Sequence, residues 1–228
     1  MELTELCSVF KELLKIENVI EAPQKLLQVL FSCKNDFFDE WISNFPDLST
    51  DNLQPIFQYY MADRKEKMQD YTPKTLARMC VKIAGVENAK SCYDMCAGSG
   101  ALTIQAWQLN SKCQFVCEEF DERVIPFLLC NLAMRNMSAV VIHGDVIKGE
   151  KMKAYKLTPT EKYSNIEEVK PPRSIHTDVC ISNPPYNIKW TPEPFIALDE
   201  RYVNFGAPPS SNANYAFVLT ALNTAKSS

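Results

Sequence analysis

In the first third of the chain, apolar residues recur at three- and four-residue intervals. Leu3, Leu6, Phe10, Leu13 and Leu14 fall on one helical face, and Leu26, Leu27, Leu30 and Phe31 repeat the spacing. Phe37, Phe38, Trp41, Ile42 and Phe45 carry the pattern to Pro46, and residues 53–61 resume it before the charged stretch 63–70. Glycine is absent from this region, and no two-residue alternation interrupts it. Residues 1–70 are therefore predicted to form an N-terminal helical subdomain.

From Tyr71 the pattern changes. Thr72 followed by Pro73 reads as a helix start, a hydroxyl cap and then a proline whose missing N–H costs nothing in the first turn. Leu76, Met79, Cys80 and Ile83 mark one face of that helix, and Gly85 can end it. Short apolar strands at 91–94, 114–118, 139–143 and 178–182 then alternate with helices at 101–109, 122–136 and 214–226. This rhythm predicts an α/β unit over 71–228, a parallel doubly wound sheet with right-handed crossovers. Residues 147–177 break it. Their lysines (148, 151, 153, 156, 162 and 170) and Pro159, Pro171 and Pro172 read as a solvated, partly ordered insertion, or else as a loop that contacts phosphates.

Composition narrows the class. The 228 residues are 46% hydrophobic and 23% charged, as in an ordinary globular protein. No apolar run approaches the roughly 20 residues that span a bilayer. The opening also lacks a basic segment followed by an apolar one, so no secretory signal or membrane partner is expected and the expected location is the cytoplasm. The nine cysteines are odd in number, and Cys80, Cys92, Cys113, Cys117, Cys130 and Cys180 lie in apolar runs, where they read as small buried hydrophobes. Cys92/Cys96 and Cys113/Cys117 are each spaced CxxxC, without a nearby histidine, and no metal is expected. A net charge of −4 works against a chain that coats nucleic acid by itself; such a role needs a local basic surface or another subunit.

The chemistry gathers at predicted strand ends. Asp94-Met95-Cys96-Ala97-Gly98-Ser99-Gly100 follows the first strand and opens a helix, where glycines let the backbone approach a ligand. It is neither a Walker loop nor GxGxxG; a short GxG after an acid suits a ligand with an amino-acid end and a nucleoside end. The second strand ends at Glu118-Glu119-Phe120. One of these two acids can accept from ribose hydroxyls, and the ring can cover a purine. Asp145-Val146 ends the third, where the aspartate could take an exocyclic amine or simply make a turn. The fourth ends in Asn183-Pro184-Pro185-Tyr186, the sharpest signal in the chain. Two prolines fix the backbone and remove two N–H donors, leaving carbonyls, an amide and a phenol beside one another. An amino group can donate to the Asn183 side-chain oxygen and the Pro184 carbonyl, and Tyr186 can stack on a planar base.

With these motifs in place, the chain from about residue 71 to 226 resembles the N6-adenine DNA methyltransferases, especially modification subunits of type I restriction systems. QDYTP (69–73) is similar to the family's segment ahead of the glycine loop, and DMCAGSGAL (94–102) to its cofactor loop. The resemblance implies a Rossmann-like fold for S-adenosyl-L-methionine. Tyr71, Thr72 and Pro73, Asp94, the loop residues Cys96, Ala97, Gly98, Ser99 and Gly100, then Glu119, Phe120, Asp145 and Val146 would bind that cofactor, with Asn183 at the junction. It implies Asn183, Pro184, Pro185 and Tyr186 as catalytic residues acting on an adenine flipped from DNA, no metal, and a specificity or further methyltransferase subunit as partner. Residues 212–222 resemble the helix that follows. The motif order is that of the class whose target-recognition region lies C-terminal. Three further strands belong to the family's sheet, so the chain reads as truncated, with a weak or absent activity alone and residues 179–181 as an exposed apolar edge. The NPPY motif is shared with methyltransferases of protein glutamine and of RNA bases, which stay open as alternatives, as does a non-catalytic cofactor-binding module.

Overall fold

The computed structural model describes residues 2–61, 72–188, 190–191, 196–210 and 212–225. Four helices come first, as the periodicity predicts: α1 (Leu3–Leu14), α2 (Ala22–Ser32), α3 (Lys34–Asn44) and α4 (Gln54–Tyr60). After them come α5 (Lys74–Ile83), β1 (Ser91–Asp94), α6 (Ala101–Leu109), β2 (Gln114–Glu119), α7 (Ile125–Met134) and β3 (Ala139–Asp145). The remainder is β4 (Glu150–Thr158), β5 (Asn165–Val169), β6 (Val179–Ile181) and α8 (Asn214–Thr224).

The six strands form one sheet in the order β5-β4-β3-β2-β1-β6. One side, β3-β2-β1-β6, is parallel, with Asp94 opposite both Cys117 and Ile181. The other side is antiparallel, which corrects the expectation for residues 147–177. That segment contains a hairpin, β4 on β3 and β5 on β4, rather than a partly ordered insertion. Its lysines hid the strand pattern because they sit on the solvent-facing positions and rims, while Ala154, Tyr155, Leu157 and Ile166 go inside. Several also serve as ties instead of free phosphate contacts. Lys151 Nζ donates to the Pro172 and Arg173 carbonyls, Lys162 pairs with Asp39, and Lys153 pairs with Glu122.

Strand alternation assigns each face of the sheet to a different helical layer. Cys92, Cys117, Val141, Tyr155 and Leu157 face a core shared with α1 through α7. Tyr93, Ile142 and Ala154 face the other side, where Phe217 and Ala213 bring in α8. All of α7 is buried, since it lies between the sheet and the N-terminal helices, and its sequence IPFLLCNLAM is apolar on every side for that reason. Phe127 of α7 touches Phe10 and Phe57 at ring distances of 5.7 and 5.4 Å, so helices from both parts of the chain meet in one core.

Two expectations about α5 are corrected. Pro73, not Thr72, takes the cap position, and no side chain caps the helix; Thr72 is buried one residue further out. The residues that bury α5 are Ala77 and Val81, whereas Leu76, Met79, Cys80 and Ile83 face outward. Small residues won because α5 packs closely against α6, and a leucine or methionine would hold them apart. Cys80 is accordingly exposed, while Cys92, Cys113, Cys117 and Cys130 are buried as read. Among the described residues, no helix is long and apolar enough to cross a membrane, and no cluster of three or more His, Cys, Asp or Glu could hold a metal ion.

Candidate functional site

β2 and β3 lie on one side of β1 and β6 on the other, so the chain reverses direction across the sheet between β1 and β6. At such a switch point the loops leaving adjacent parallel strands diverge and open a crevice at their carboxyl ends. A cleft of about 370 Å³ sits there, lined by residues from the loops after β1, β2, β3 and β6. Gly98 and Asn183, taken from the two motifs singled out in the sequence, face the same space.

The glycine loop forms one wall. Gly98 and Gly100 have φ values of 55° and 103°, the left-handed region where a side chain would be strained. Added to Gly100, a Cβ would also lie 3.1 Å from Leu128 Cδ1 of the packed helix behind it. The Gly98 N–H donates to Glu119 Oε2 at 2.8 Å, and the Asp121 N–H donates to Glu119 Oε1 at 2.8 Å. The two acids therefore face opposite ways. Glu119 lines the cleft, whereas Glu118 points to the opposite face of the sheet and accepts from the Tyr93 hydroxyl at 2.7 Å. Burial raises the Glu119 pKa above the ordinary carboxylate value, against the lowering effect of the Asp121 and Gly98 N–H groups.

Phe120 follows, 56% exposed and lining the cleft. His143 Nε2 lies 3.2 Å from its carbonyl and steadies the turn. Asp145 closes the end of β3. Its Oδ1 accepts from the Ile147 and Lys148 N–H groups, so it makes the turn that one reading of the sequence proposed, and it also lines the cleft beside Val146. Gly144 is needed between them: a Cβ there would meet Glu118 Oε1 at 2.5 Å and the Glu150 carbonyl at 2.8 Å.

Asn183, Pro184, Pro185 and Tyr186 supply the facing wall, with Tyr186 57% exposed. Asn187 then turns the chain with a φ of 59°, and its N–H donates to Asn214 Oδ1 at the start of α8. The Ala213 N–H donates to the Ile188 carbonyl, and Phe217 of α8 reaches the cleft. α8 thus braces the segment after the prolines.

Not every residue singled out in the sequence reaches this space. Thr72, Cys96, Ala97 and Gly98 line it, but Asp94, Ser99, Gly100 and Pro73 do not. Asp94 lies behind the loop, nearly fully buried, accepting from Thr103 Oγ1 at 2.8 Å, and burial pushes its pKa up to about 7. Ser99 is fully buried and points away from the cleft. Tyr71 lies outside the described residues. Met95, Ile147 and Phe217 also line the cleft, though no role was assigned to them from the sequence. Single apolar residues in a loop, a strand end or a helix resemble any other core residue in sequence.

The chemistry of these walls fits an S-adenosylmethionine-like group. The lining brings together a carboxylate (Glu119), an aromatic ring (Phe120) and the amide of Asn183 beside two prolines.

A family model described as N-6 DNA methylase matches residues 46–228. The type I restriction enzyme MpnII methylase subunit of Mycoplasma pneumoniae is 28% identical over 229 residues, a match that takes in 93% of this chain and 41% of that protein. The chain therefore spans less than half the length of that curated relative. A solved structure of a candidate class I S-adenosylmethionine-dependent methyltransferase from Listeria monocytogenes superposes with a TM-score of 0.62 at 16% identity, covering 98% of this chain and 70% of the other, which establishes the shared fold. With the family model covering most of the sequence and the motif corners meeting in one cleft, the chain belongs to the N-6 DNA methylase family.

Proposed function

We propose that this chain is the cofactor-binding and catalytic part of an S-adenosylmethionine-dependent methyltransferase acting on the N6 amino group of adenine in DNA. It would act within a restriction-modification system, alongside a specificity or further methyltransferase subunit, in the cytoplasm. Residues 71–228 would carry the chemistry and residues 1–70 would form the helical part. One observation carries the reading: Gly98 and Asn183, from loops at the adjacent ends of β1 and β6, line one cleft.

Glu119 would accept the ribose hydroxyls, Phe120 and Val146 would enclose the purine, and the second oxygen of Asp145 would take its amino group. Thr72, Cys96, Ala97 and Gly98 would surround the amino-acid end; Asp94, Ser99 and Gly100 would act by shaping the loop. Bound here, S-adenosylmethionine supplies an electrophilic methyl group. A flipped adenine would stack on Tyr186, with its amino group donating to the Asn183 side-chain oxygen and the Pro184 carbonyl. Those two acceptors draw the amine toward pyramidal geometry and direct its lone pair across the cleft, so catalysis comes from positioning and polarisation. Pro185 holds the backbone so that the Pro184 carbonyl stays presented. No side chain needs to act as a base before attack, because the nitrogen sheds its proton afterwards.

The test is methyl-labelled cofactor incubated with the chain, a companion subunit and adenine-containing duplex DNA, followed by nuclease digestion. Label in N6-methyladenine is expected. Label found only in RNA or in a glutamine-containing protein, or no cofactor binding at all, would overturn the assignment.

A further inference from the structure

The segment 47–51 between α3 and α4 carries no motif, yet three helices of the α/β part converge on it. The Leu48, Ser49 and Thr50 carbonyls are each taken by a side chain: Arg135 Nε on Leu48 at 2.8 Å, Gln105 Nε2 on Ser49 at 2.8 Å, and Arg135 Nη2 on Thr50 at 2.9 Å. Lys74 Nζ of α5 donates to the Ser49 and Thr50 hydroxyls at 2.6 and 2.8 Å. Asp51 completes the segment. Its carboxylate accepts from the Leu53 and Gln54 N–H groups, from Asn131 Nδ2 at 2.9 Å, and from Ser99 Oγ at 2.6 Å.

The last of these bonds reaches the cofactor loop. Ser99 lies between the two positive-φ glycines, and both ends of it are held from behind: its hydroxyl by Asp51 and its carbonyl by Asn131 Nδ2 at 2.8 Å. Arg135 in turn donates to the Asn131 side-chain oxygen at 3.0 Å, fixing the amide's orientation. With Ser99 turned inward, Gly98 presents its N–H to Glu119, the carboxylate that lines the cleft. Three N–H donors converge on Asp51 Oδ1 and the Ser99 hydroxyl takes Oδ2, so an alanine there would leave these donors without their acceptor. Charge-assisted bonds to such a group are also stronger than neutral ones.

We infer that Asp51 is a positioning residue for the cofactor: through Ser99 and Gly98 it sets where Glu119 stands, so the helical part of the chain controls cofactor affinity. The inference rests on the proposal that the cleft takes S-adenosylmethionine. The test uses the full chain with Ser99→Ala, which removes one hydroxyl, and Asp51→Ala. Two readouts are taken, S-adenosylmethionine affinity by calorimetry and amide hydrogen exchange of the ligand-free protein at Gly98 and Gly100. Each variant is expected to weaken binding about 10-fold or more, the scale of one or two lost hydrogen bonds. It should also speed exchange at those two amides while β2 and β3 amides keep their rates. The double variant should bind no more weakly than Asp51→Ala alone, because both act through one bond.

A folded Ser99→Ala protein with affinity within twofold of wild type and unchanged loop exchange would overturn the inference. So would exchange that accelerates equally in β2 and β3. If the unaltered chain binds no S-adenosylmethionine, the proposed function fails, and loop exchange alone then decides whether Asp51 holds the loop.

Discussion

The two ends of the sheet are finished in opposite ways. At the β5 end the hairpin is covered: Tyr155 packs near Phe31, Phe38 meets the Tyr163 ring edge-on at 4.9 Å, and the Tyr163 hydroxyl donates to Asp39. At the β6 end a strand of three residues has Val179 and Cys180 only partly buried. The helix beside it, α8, turns Tyr215, Val218 and Leu222 to solvent. The cleft lies at the boundary, with its proposed cofactor wall built on the covered side and its proposed substrate wall on the sparser one. One half is held by the large core shared with the N-terminal helices, and the other by the smaller core around Tyr93, Ile142 and Phe217 together with local bonds such as Asn187 to Asn214.

Substitutions can break or sharpen that contrast. The largest effect is expected on the substrate wall. Asn183→Ala should reduce methyl transfer by about a thousandfold or more, in line with loss of a donor or acceptor that acts on the transition state, and leave cofactor affinity nearly unchanged. Labelled-methyl transfer and calorimetry on one preparation check both halves. Next comes the shared core. Phe127→Ala should destabilise the chain by about 3–5 kcal/mol in urea denaturation, with helix and sheet probes melting together because the ring joins both layers. Separate transitions would contradict the single core.

Gly144→Ala should cost about 1–3 kcal/mol by overpacking against Glu118 and the Glu150 carbonyl, and it should weaken cofactor binding by moving the end of β3. Asp94 offers a pH-dependent signature. Its pKa near 7 lies above the unfolded value of about 3.9, so the folded chain holds this proton more tightly. The group's contribution to stability is therefore full below about pH 4 and is lost as pH rises toward 7. Asp94→Asn should flatten that decline in denaturation curves taken from pH 5 to 8; an unchanged slope would show that Asp94 is not its source. Least of all should Leu222→Ser matter on the open side, with a change within about 0.5 kcal/mol.

What the sequence revealed and what it hid have physical reasons. The N-terminal helices were legible because each buries one stripe, as Leu6, Phe10 and Leu14 do in α1. The central strands were legible as short apolar runs between turns, and the cleft was legible because its corners are backbone devices, glycines and prolines, which leave local signatures. The β4–β5 hairpin was not, since Lys151, Lys153 and Lys156 are interleaved with the inward Ala154, Tyr155 and Leu157 and break the apolar run. α5 misled for the opposite reason: its largest apolar residues are outside and its alanine is inside. The 47–51 segment was silent because its work is done by carbonyls and by one aspartate, and the distant partners of both lie from 48 to 87 residues away in sequence. A dense run of Asp, Ser and Thr ahead of a helix announced a turn, not its distant partners.

The central claim is the joining of the two loops around one ligand, and a crystal structure of the chain with S-adenosylmethionine or a stable analogue tests it most directly. Ligand density is expected between Gly98 and Asn183, with the ribose hydroxyls on Glu119 and the purine against Phe120. Density at another surface, or a ligand whose ribose faces away from Glu119, would contradict the account.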